Sequence, residues 1–376
     1  MNRYRIKQQE QEKKRKEKKI MKFVVLNCLI LILVSSKCED ECRDPLKWPF
    51  LSSSIWNTPI GSNAIFHDPK IFHSSFVLPH NFFSDDDYFI VTSETDPMTP
   101  WYNQGWWGNP DGEAHCNITG QFLRNIRFPV NLTVRQFGNN NAAALLQPDN
   151  HTIINTQPLY RCSFGSPVLS LLREDIAGQD DIRFGNGTWG AHGGSGLSSI
   201  GGTIRLGELL PHSPPIRHAL KIQLNATAYY YDKRPGFVWP ALGCDGYAFD
   251  LKNPHHYGGK DIYLSPGSLL AIPSHIDIQL KTQPGKKLLF ALKNYGGYIC
   301  DNTVANRGTL GTEHGVTEEF ESTYGYSFNA QPKGSTSQWY NDLLLLFQSL
   351  HIVINNSNRT IGGGGIPLQP PSPPFC

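Results

Sequence analysis

Several signatures are missing from this chain, and each absence removes a class of function. The glycine-rich loop at 190–202 lacks the Gly-Lys-Ser/Thr ending of a phosphate-binding loop, and no βαβ unit follows it, so nucleotide binding has no support. Within it, Gly193-Gly194-Ser195-Gly196-Leu197 carries Leu where a nucleophile elbow needs its last Gly, which argues against a serine nucleophile. No cysteine pair has zinc-ribbon spacing. His255-His256 is adjacent and badly spaced for one ion, and His67, His73 and His80 carry no flanking pattern, so neither a catalytic metal nor a cofactor is expected. There is no internal repeat, and no Pro/Ser-rich linker divides the middle.

Positive charge is scarce beyond the leader. The first twenty residues hold nine Lys/Arg against three Glu, a surplus of +6. Without them the formal +2 of the chain becomes −4, and losing Lys22 makes it −5. A mildly acidic remainder with no basic stripe argues against nucleic acid. Met21 opens a second, conventional start. Lys22 is a charged n-region, Phe23 to Val34 an apolar h-region, and Ser35-Ser36 small residues at a cleavage point. This reads as a secretory signal peptide, short for a membrane span, so membrane contact is expected through this segment only. A retained signal anchor is the alternative. The expected organisation is a basic leader plus signal peptide over 1–36, one β-rich secreted domain over 37–366, and a Pro-rich tail over 367–376.

What is present fits that compartment. Seven Asn-X-Ser/Thr sequons follow the signal: Asn117, Asn131, Asn150, Asn186, Asn225, Asn355 and Asn358. They point to a glycosylated extracellular protein, each occupied site marking exposed surface. Beyond Cys28 in the signal lie Cys38, Cys42, Cys116, Cys162, Cys244, Cys300 and Cys376. An odd number leaves one thiol free or paired between chains, and the connectivity stays open. Cys38/Cys42 reads as a disulfide anchor at the mature terminus.

The chain has 35 Gly and 27 Pro, and most of it is short apolar runs broken by Gly, Pro, Asn and Asp. That pattern predicts a mostly β fold, a β-sandwich or jelly-roll-like single domain with a few helices packed near the C-terminus. Candidate strands are 88–92, 131–136, 152–157, 203–206, 216–228, 268–272 and 276–280. In the 216–228 run, Ile216, His218, Leu220, Ile222 and Leu224 share one face by alternation. Arg217, Ala219, Lys221, Gln223 and Asn225 share the other, which the sequon at Asn225 predicts to be in water. Candidate helices cover 284–295, 316–324 and 337–350.

The polar groups gather in one stretch. Between Gly190 and Leu224 the loop glycines are followed by His192, Ser195, Arg205, Glu208 and His218. His192 is sterically open among glycines and suits a base. His218 lies on an apolar face, where a packed histidine is the plain alternative. Arg205 and Glu208 would point to opposite faces of a regular strand unless Gly207 introduces a bulge; a structural salt bridge is the other reading. Upstream, Gln157, Tyr160 and Arg161 offer an amide, a phenol and a guanidinium, a set suited to a carboxylate-bearing sugar. Trp101-Tyr102, Trp106-Trp107, Trp189, Tyr229-Tyr230-Tyr231 and Trp239 are candidates for stacking on sugar faces or for core.

Taken together, Asn155 to Cys162, Gly190 to Ser198, Gly201 to Leu209, Ile216 to Leu220, Trp239-Pro240-Ala241, Tyr295 to Tyr298, Ile361 to Gly365 and the opening Trp56-Asn57-Thr58-Pro59-Ile60 resemble a family of secreted proteins common in bacteria. The resemblance spans roughly Trp56 to Cys376. It implies secretion and a single β-rich module, and it brings no catalytic assignment. The leader and the sequons depart from the bacterial pattern and suggest a eukaryotic bearer.

The expected function is therefore a glycan-active protein with polysaccharide as partner. As a lyase, Arg205, or Arg161 with Gln157, would neutralise a uronate carboxylate, His192 or His218 would take the C5 proton, and Tyr160 would protonate the leaving oxygen. Ser195, Trp101 and Trp239 would line the substrate. As a hydrolase, Glu208 with Asp181 or Asp245 would supply the carboxylates. The alternative is a non-catalytic module that binds glycan or builds matrix.

Overall fold

The computed structural model describes residues 42–73, 79–104, 116–135, 140–171 and 179–376. The leader and signal segment, Cys38, Trp106, Trp107 and Gln136 lie outside the described residues. The chain divides into a main body, Asp44–Ser372, and a small terminal unit drawn from Met1–Arg43 and Pro373–Cys376. In the terminal unit Cys42 is bonded to Cys376, and the Arg43 backbone N–H donates to the Pro374 carbonyl at 2.8 Å. Cys42 thus bridges to the far end of the chain and not to Cys38. A second disulfide joins Cys116 and Cys162, while Cys244 and Cys300 are both free thiols.

The fold is mostly β. In chain order the strands begin with β1 (Phe66–His67), β2 (Phe82–Val91), β3 (Met98–Asn103), β4 (Gln121–Arg127) and β5 (Ala143–Leu146). They continue with β6 (Thr152–Thr156), β7 (Leu159–Tyr160), β8 (Val168–Ser170), β9 (Gln179–Asp181) and β10 (Leu220–Leu224). The last are β11 (Leu269–Ala271), β12 (Gly297–Asn302), β13 (Gly308–Glu313) and β14 (His351–Val353). Ten of them form one mixed sheet in the order β1-β14-β11-β12-β10-β13-β2-β5-β6-β9; the other four form a smaller sheet, β4-β3-β8-β7. The helices are α1 (Ala226–Tyr229), α2 (Gln283–Asn294), α3 (Val316–Tyr324) and α4 (Ser337–Gln348). The last three match the candidate helices closely. Among the described residues no helix is long and apolar enough to cross a membrane.

Both faces of the large sheet's centre are covered. On one side Leu220, Ile222 and Leu224 of β10 pack with Leu288 and Leu292 of α2 and Leu343, Leu346 and Phe347 of α4. On the other side Trp56, Tyr298 and Cys300 form a second cluster. This explains one correction. β10 runs parallel to β12 and, through β13, lies two strands from β2, whose pairing to β13 is also parallel. Such strands are buried on both faces, so Lys221 and Gln223 are buried and not in water. The strand is also shorter than 216–228, and His218 precedes it in a loop. Three other candidates form no strand: 276–280 has no pairing, and at 203–206 only Ile204 bridges, to Thr312. Val134 bridges Arg161, leaving no strand at 131–135.

Candidate active site

Strand β2 carries Asp85, Asp86 and Asp87 in succession, and the pleat sends Asp85 and Asp87 to one face and Asp86 to the other. His192, fully buried, is held between Asp85 and Asp87. Its Nε2 lies 3.0 Å from Asp85 Oδ2 and its Nδ1 3.0 Å from Asp87 Oδ1. Lys221 Nζ donates to Asp87 Oδ2 at 2.8 Å, and Thr203 Oγ1 donates to the same oxygen at 2.6 Å. Lys221 reaches Asp87 across β13 because Gly311 stands between them. A Cβ there would lie 3.0 Å from Lys221 Cβ and 3.3 Å from Asp87 Oδ2. The Gln223 amide donates to Asp85 Oδ2.

Asp301 enters from β12. Between Ile222 and Gln223 the β10–β12 register shifts, so that Ile222 faces Ile299 while Gln223 faces Asp301. This bulge skips Cys300 and brings Asp301 beside Gln223. Asp301 Oδ1 accepts the Asn302 N–H at 2.8 Å and the Gly194 N–H at 3.3 Å, and Oδ2 accepts from the Asn140 amide. The glycine loop fits only without side chains. Gly193, at φ 58°, would overlap Asp301 if it carried a Cβ, and a Cβ on Gly194 would stand 2.9 Å from Asp245 Cγ. Asp245 in turn accepts the Tyr257 hydroxyl at 2.8 Å.

The charges are strongly biased. Burial is the largest single influence on His192 and works against its proton, but the Asp87 charge, Cys300 and the hydrogen bond to Asp85 together outweigh burial and Lys221, and the imidazole's proton affinity stands well above its usual value. Burial works against Asp87 too, yet Lys221 and His192 hold it below the usual carboxylate range. Asp301 goes the other way: burial first, then the charge of Asp245, push its pKa up to about 7. Burial also raises Asp245. Opposed shifts of this kind in one cluster assign proton donors and fixed charges. The cluster floors a cleft of about 530 Å³, ordinary for a ligand pocket, which Asp85, Asn140, Gln223 and Asn302 line. His192 and Asp301 lie one hydrogen bond behind that lining.

The expected quartet is split. Arg205, Glu208 and His218 form a separate buried network. Arg205 Nε lies 3.2 Å from Glu313 Oε2, its backbone N–H donates to Glu208 Oε2 at 2.7 Å, and His218 Nε2 is 3.1 Å from both Glu208 oxygens. Burial opposes a charge on His218, but Glu208 outweighs it and raises the pKa. The space beside Arg205 and His218 amounts to about 10 Å³, room for one water at most. No sugar can enter, so these three hold the fold, as a structural salt-bridge network does.

The remaining expected residues are also structural. Ser195 is fully buried and its Oγ donates to the His192 carbonyl at 2.9 Å. Gln157 accepts the Gly193 N–H and so braces the glycine loop. Arg161 is buried, donating to the Ser166 and Pro129 carbonyls with its guanidinium 4.7 Å from the Phe128 ring centroid. Tyr160 is buried in β7, which pushes its pKa up to about 12. Trp101 is fully buried with its Nε1 donating to Ser170 Oγ, and Trp239 is half-buried against the cluster around Trp56. Asp181 pairs with His151 on β9, and Asp245 joins the first network without Glu208. Of the sequons, Asn117, Asn131, Asn150, Asn186 and Asn358 are exposed, while Asn225 and Asn355 are partly buried. Asn355 Nδ2 donates to both Asn63 and Gly363 carbonyls, so a sugar there must displace one of them.

Asp85, His192 and Asp301 each offer one ligand atom, all within 4.8 Å of one another, and this is the group among the described residues that could hold a cation. A cation would have to displace the proton that His192 shares with Asp85. Comparisons with protein-family models, curated proteins and solved structures find no match.

Proposed function

We propose that this chain is a secreted glycan-active enzyme that hydrolyses glycosidic bonds in the cleft above Asp85 and Asp301. One observation carries the reading: Asp85 lines the cleft, and Asp301, one hydrogen bond behind the lining under the Asn140 amide, has an oxygen within 4.8 Å of an Asp85 oxygen and a pKa pushed up to about 7. In glycoside hydrolysis the raised carboxyl is the general acid, and a close pair, about 5–5.5 Å between carboxyl groups, goes with a covalent intermediate and retention. Asp301 gives its proton to the leaving oxygen as the C1–O bond breaks, and an Asp85 oxygen bonds to C1. Water then attacks C1, its proton passes to Asp301, and Asp85 is released. His192 and Gln223 position Asp85, while Asp87 and Lys221 position His192. The two disulfides support an oxidising compartment and so secretion.

The lyase version loses support, because Arg205 and Arg161 are committed to protein partners. The binding-module alternative loses Trp101, which is core. The test is a polysaccharide panel followed for new reducing ends and for unsaturated products near 235 nm. Reducing ends with retained anomeric configuration support hydrolysis. Unsaturated products, or binding without cleavage, would replace it.

A further inference from the structure

The cleft's chemistry narrows the substrate, and this step rests on the hydrolase reading. We infer that the cleft takes a sugar rich in hydroxyl or amine donors and free of carboxylate, a neutral or amino sugar and not a uronate. Three carboxylates line it, those of Asp85, Asp86 and Glu318, against one cation, Arg307. That cation is partly committed to the cleft's own wall. Arg307 Nε and Nη2 both donate to the Thr303 carbonyl, at 3.3 and 3.2 Å, and the guanidinium sits 5.0 Å from the Phe83 ring centroid.

Other donors of the lining are likewise committed to protein partners. Asn140 donates to Asp301, Gln223 to Asp85, and Asn302 to the Tyr247 oxygen at 3.2 Å. Thr303 Oγ1 donates to the Ala305 carbonyl at 2.6 Å and Thr317 Oγ1 to Glu318 Oε2 at 2.9 Å. The counter-charges His192 and Lys221 are fully buried and outside the lining, and the partly exposed His314, also outside it, has its Nδ1 3.5 Å from Asp86 Oδ2. A ligand therefore meets three carboxylates at the wall, beside the neutral side chains of Ser84, Thr309 and Asn329. Hydroxyls and ammonium groups complement such a wall. A uronate carboxylate meets like charge there, three carboxylates against one guanidinium whose Nε and Nη2 are already bonded to Thr303, and that juxtaposition is a device for rejecting a substrate.

The test uses the full glycosylated chain carrying Asp301→Asn, so that binding is read apart from turnover. Oligomers of glucosamine, of glucose and of galacturonate, matched in length, are titrated calorimetrically at low salt and mildly acidic pH. The glucosamine and glucose oligomers are expected to bind at least about tenfold more tightly than the galacturonate one. Glu318→Gln is expected to weaken the glucosamine oligomer about threefold, less at high salt, and to leave the glucose oligomer unchanged. Galacturonate binding as tight as the others, or no binding by any of the three, overturns the inference. If the unsubstituted chain cuts polyuronate, the hydrolase reading stands and this one falls. If donor-rich oligomers bind and nothing is cut, this inference stands and the hydrolase reading falls.

Discussion

Two buried charge networks draw on the same stretch between Gly190 and Leu224. One gathers His192 and Lys221 around Asp85, Asp87 and Asp301; the other gathers Arg205, Glu208 and His218 around Glu313. Both bury a histidine against a carboxylate, and in both burial is overcome and the imidazole's pKa rises. They differ in what lies beyond. The first floors a cleft of about 530 Å³ and contains a carboxyl left near neutrality; the second closes on about 10 Å³ and has no such acid among its named partners. A perturbed histidine is thus no guide to function by itself. Access, together with a proton donor of the opposite bias, separates the two.

The comparison can be broken at several points. The largest effect is expected at Asp301. Asp301→Asn removes the proposed general acid and should lower kcat by about 10²–10⁴-fold, while Glu208→Gln, a matched change in the other network, should leave the turnover of folded protein within about twofold. Reducing-end assays on both variants check this. Next comes stability. Arg205→Met leaves Glu313 without its guanidinium partner in a largely buried setting and should cost at most about 3–5 kcal/mol in denaturant unfolding, with turnover of the folded fraction retained.

Asp301 also makes a stability statement with a definite sign. Its folded pKa of about 7 lies above an ordinary unfolded aspartate near 3.9, so the folded state binds the proton more tightly. This contribution is lost as pH rises from about 4 to about 7. Asp301→Asn should therefore gain stability relative to the parent across that window, read by thermal melts at a series of pH values.

Two glycines sharpen the contrast at a smaller scale. Gly193 and Gly207 both have positive φ, 58° and 89°, but a Cβ would overlap Asp301 at the first and meet open space at the second. Gly207→Ala should cost roughly 1–2 kcal/mol of backbone strain and leave turnover alone. Gly193→Ala should cost more and also lower kcat by displacing Asp301. The smallest effect is expected from EDTA. With the proton kept on His192, chelation should change the rate by less than about twofold; a large loss that Ca²⁺ or Mn²⁺ restores would make the Asp85/His192/Asp301 trio a cation site.

Some of this was legible in the sequence. The helix expected at 284–295 followed from a first-turn proline and a Gly-Gly stop, that at 337–350 from apolar spacing, and the β-rich body from short runs between turn residues. His192 stood out because glycines flank it. Asp85 and Asp87 did not, because three consecutive aspartates look like a solvated turn; the signal was their position between Phe82-Phe83 and Tyr88-Phe89-Ile90-Val91, which continues a strand through them. Asp301 was hidden for another reason. It reaches the site through a one-residue bulge against β10, and a register shift between strands nearly eighty positions apart leaves no local trace. Lys221 and Gln223 were misread because alternation assumes one wet face, which a strand packed on both sides does not have.

The most direct test is the pH dependence of kcat/KM on whichever glycan is cut, for the parent chain and for Asp301→Asn. The account expects the parent's rate to fall as pH rises through about 7, the value at which Asp301 loses its proton, and expects the variant to be slow with that fall abolished. A parent whose rate is flat through that range, or an Asp301→Asn variant that keeps the parent's rate and profile, would contradict it.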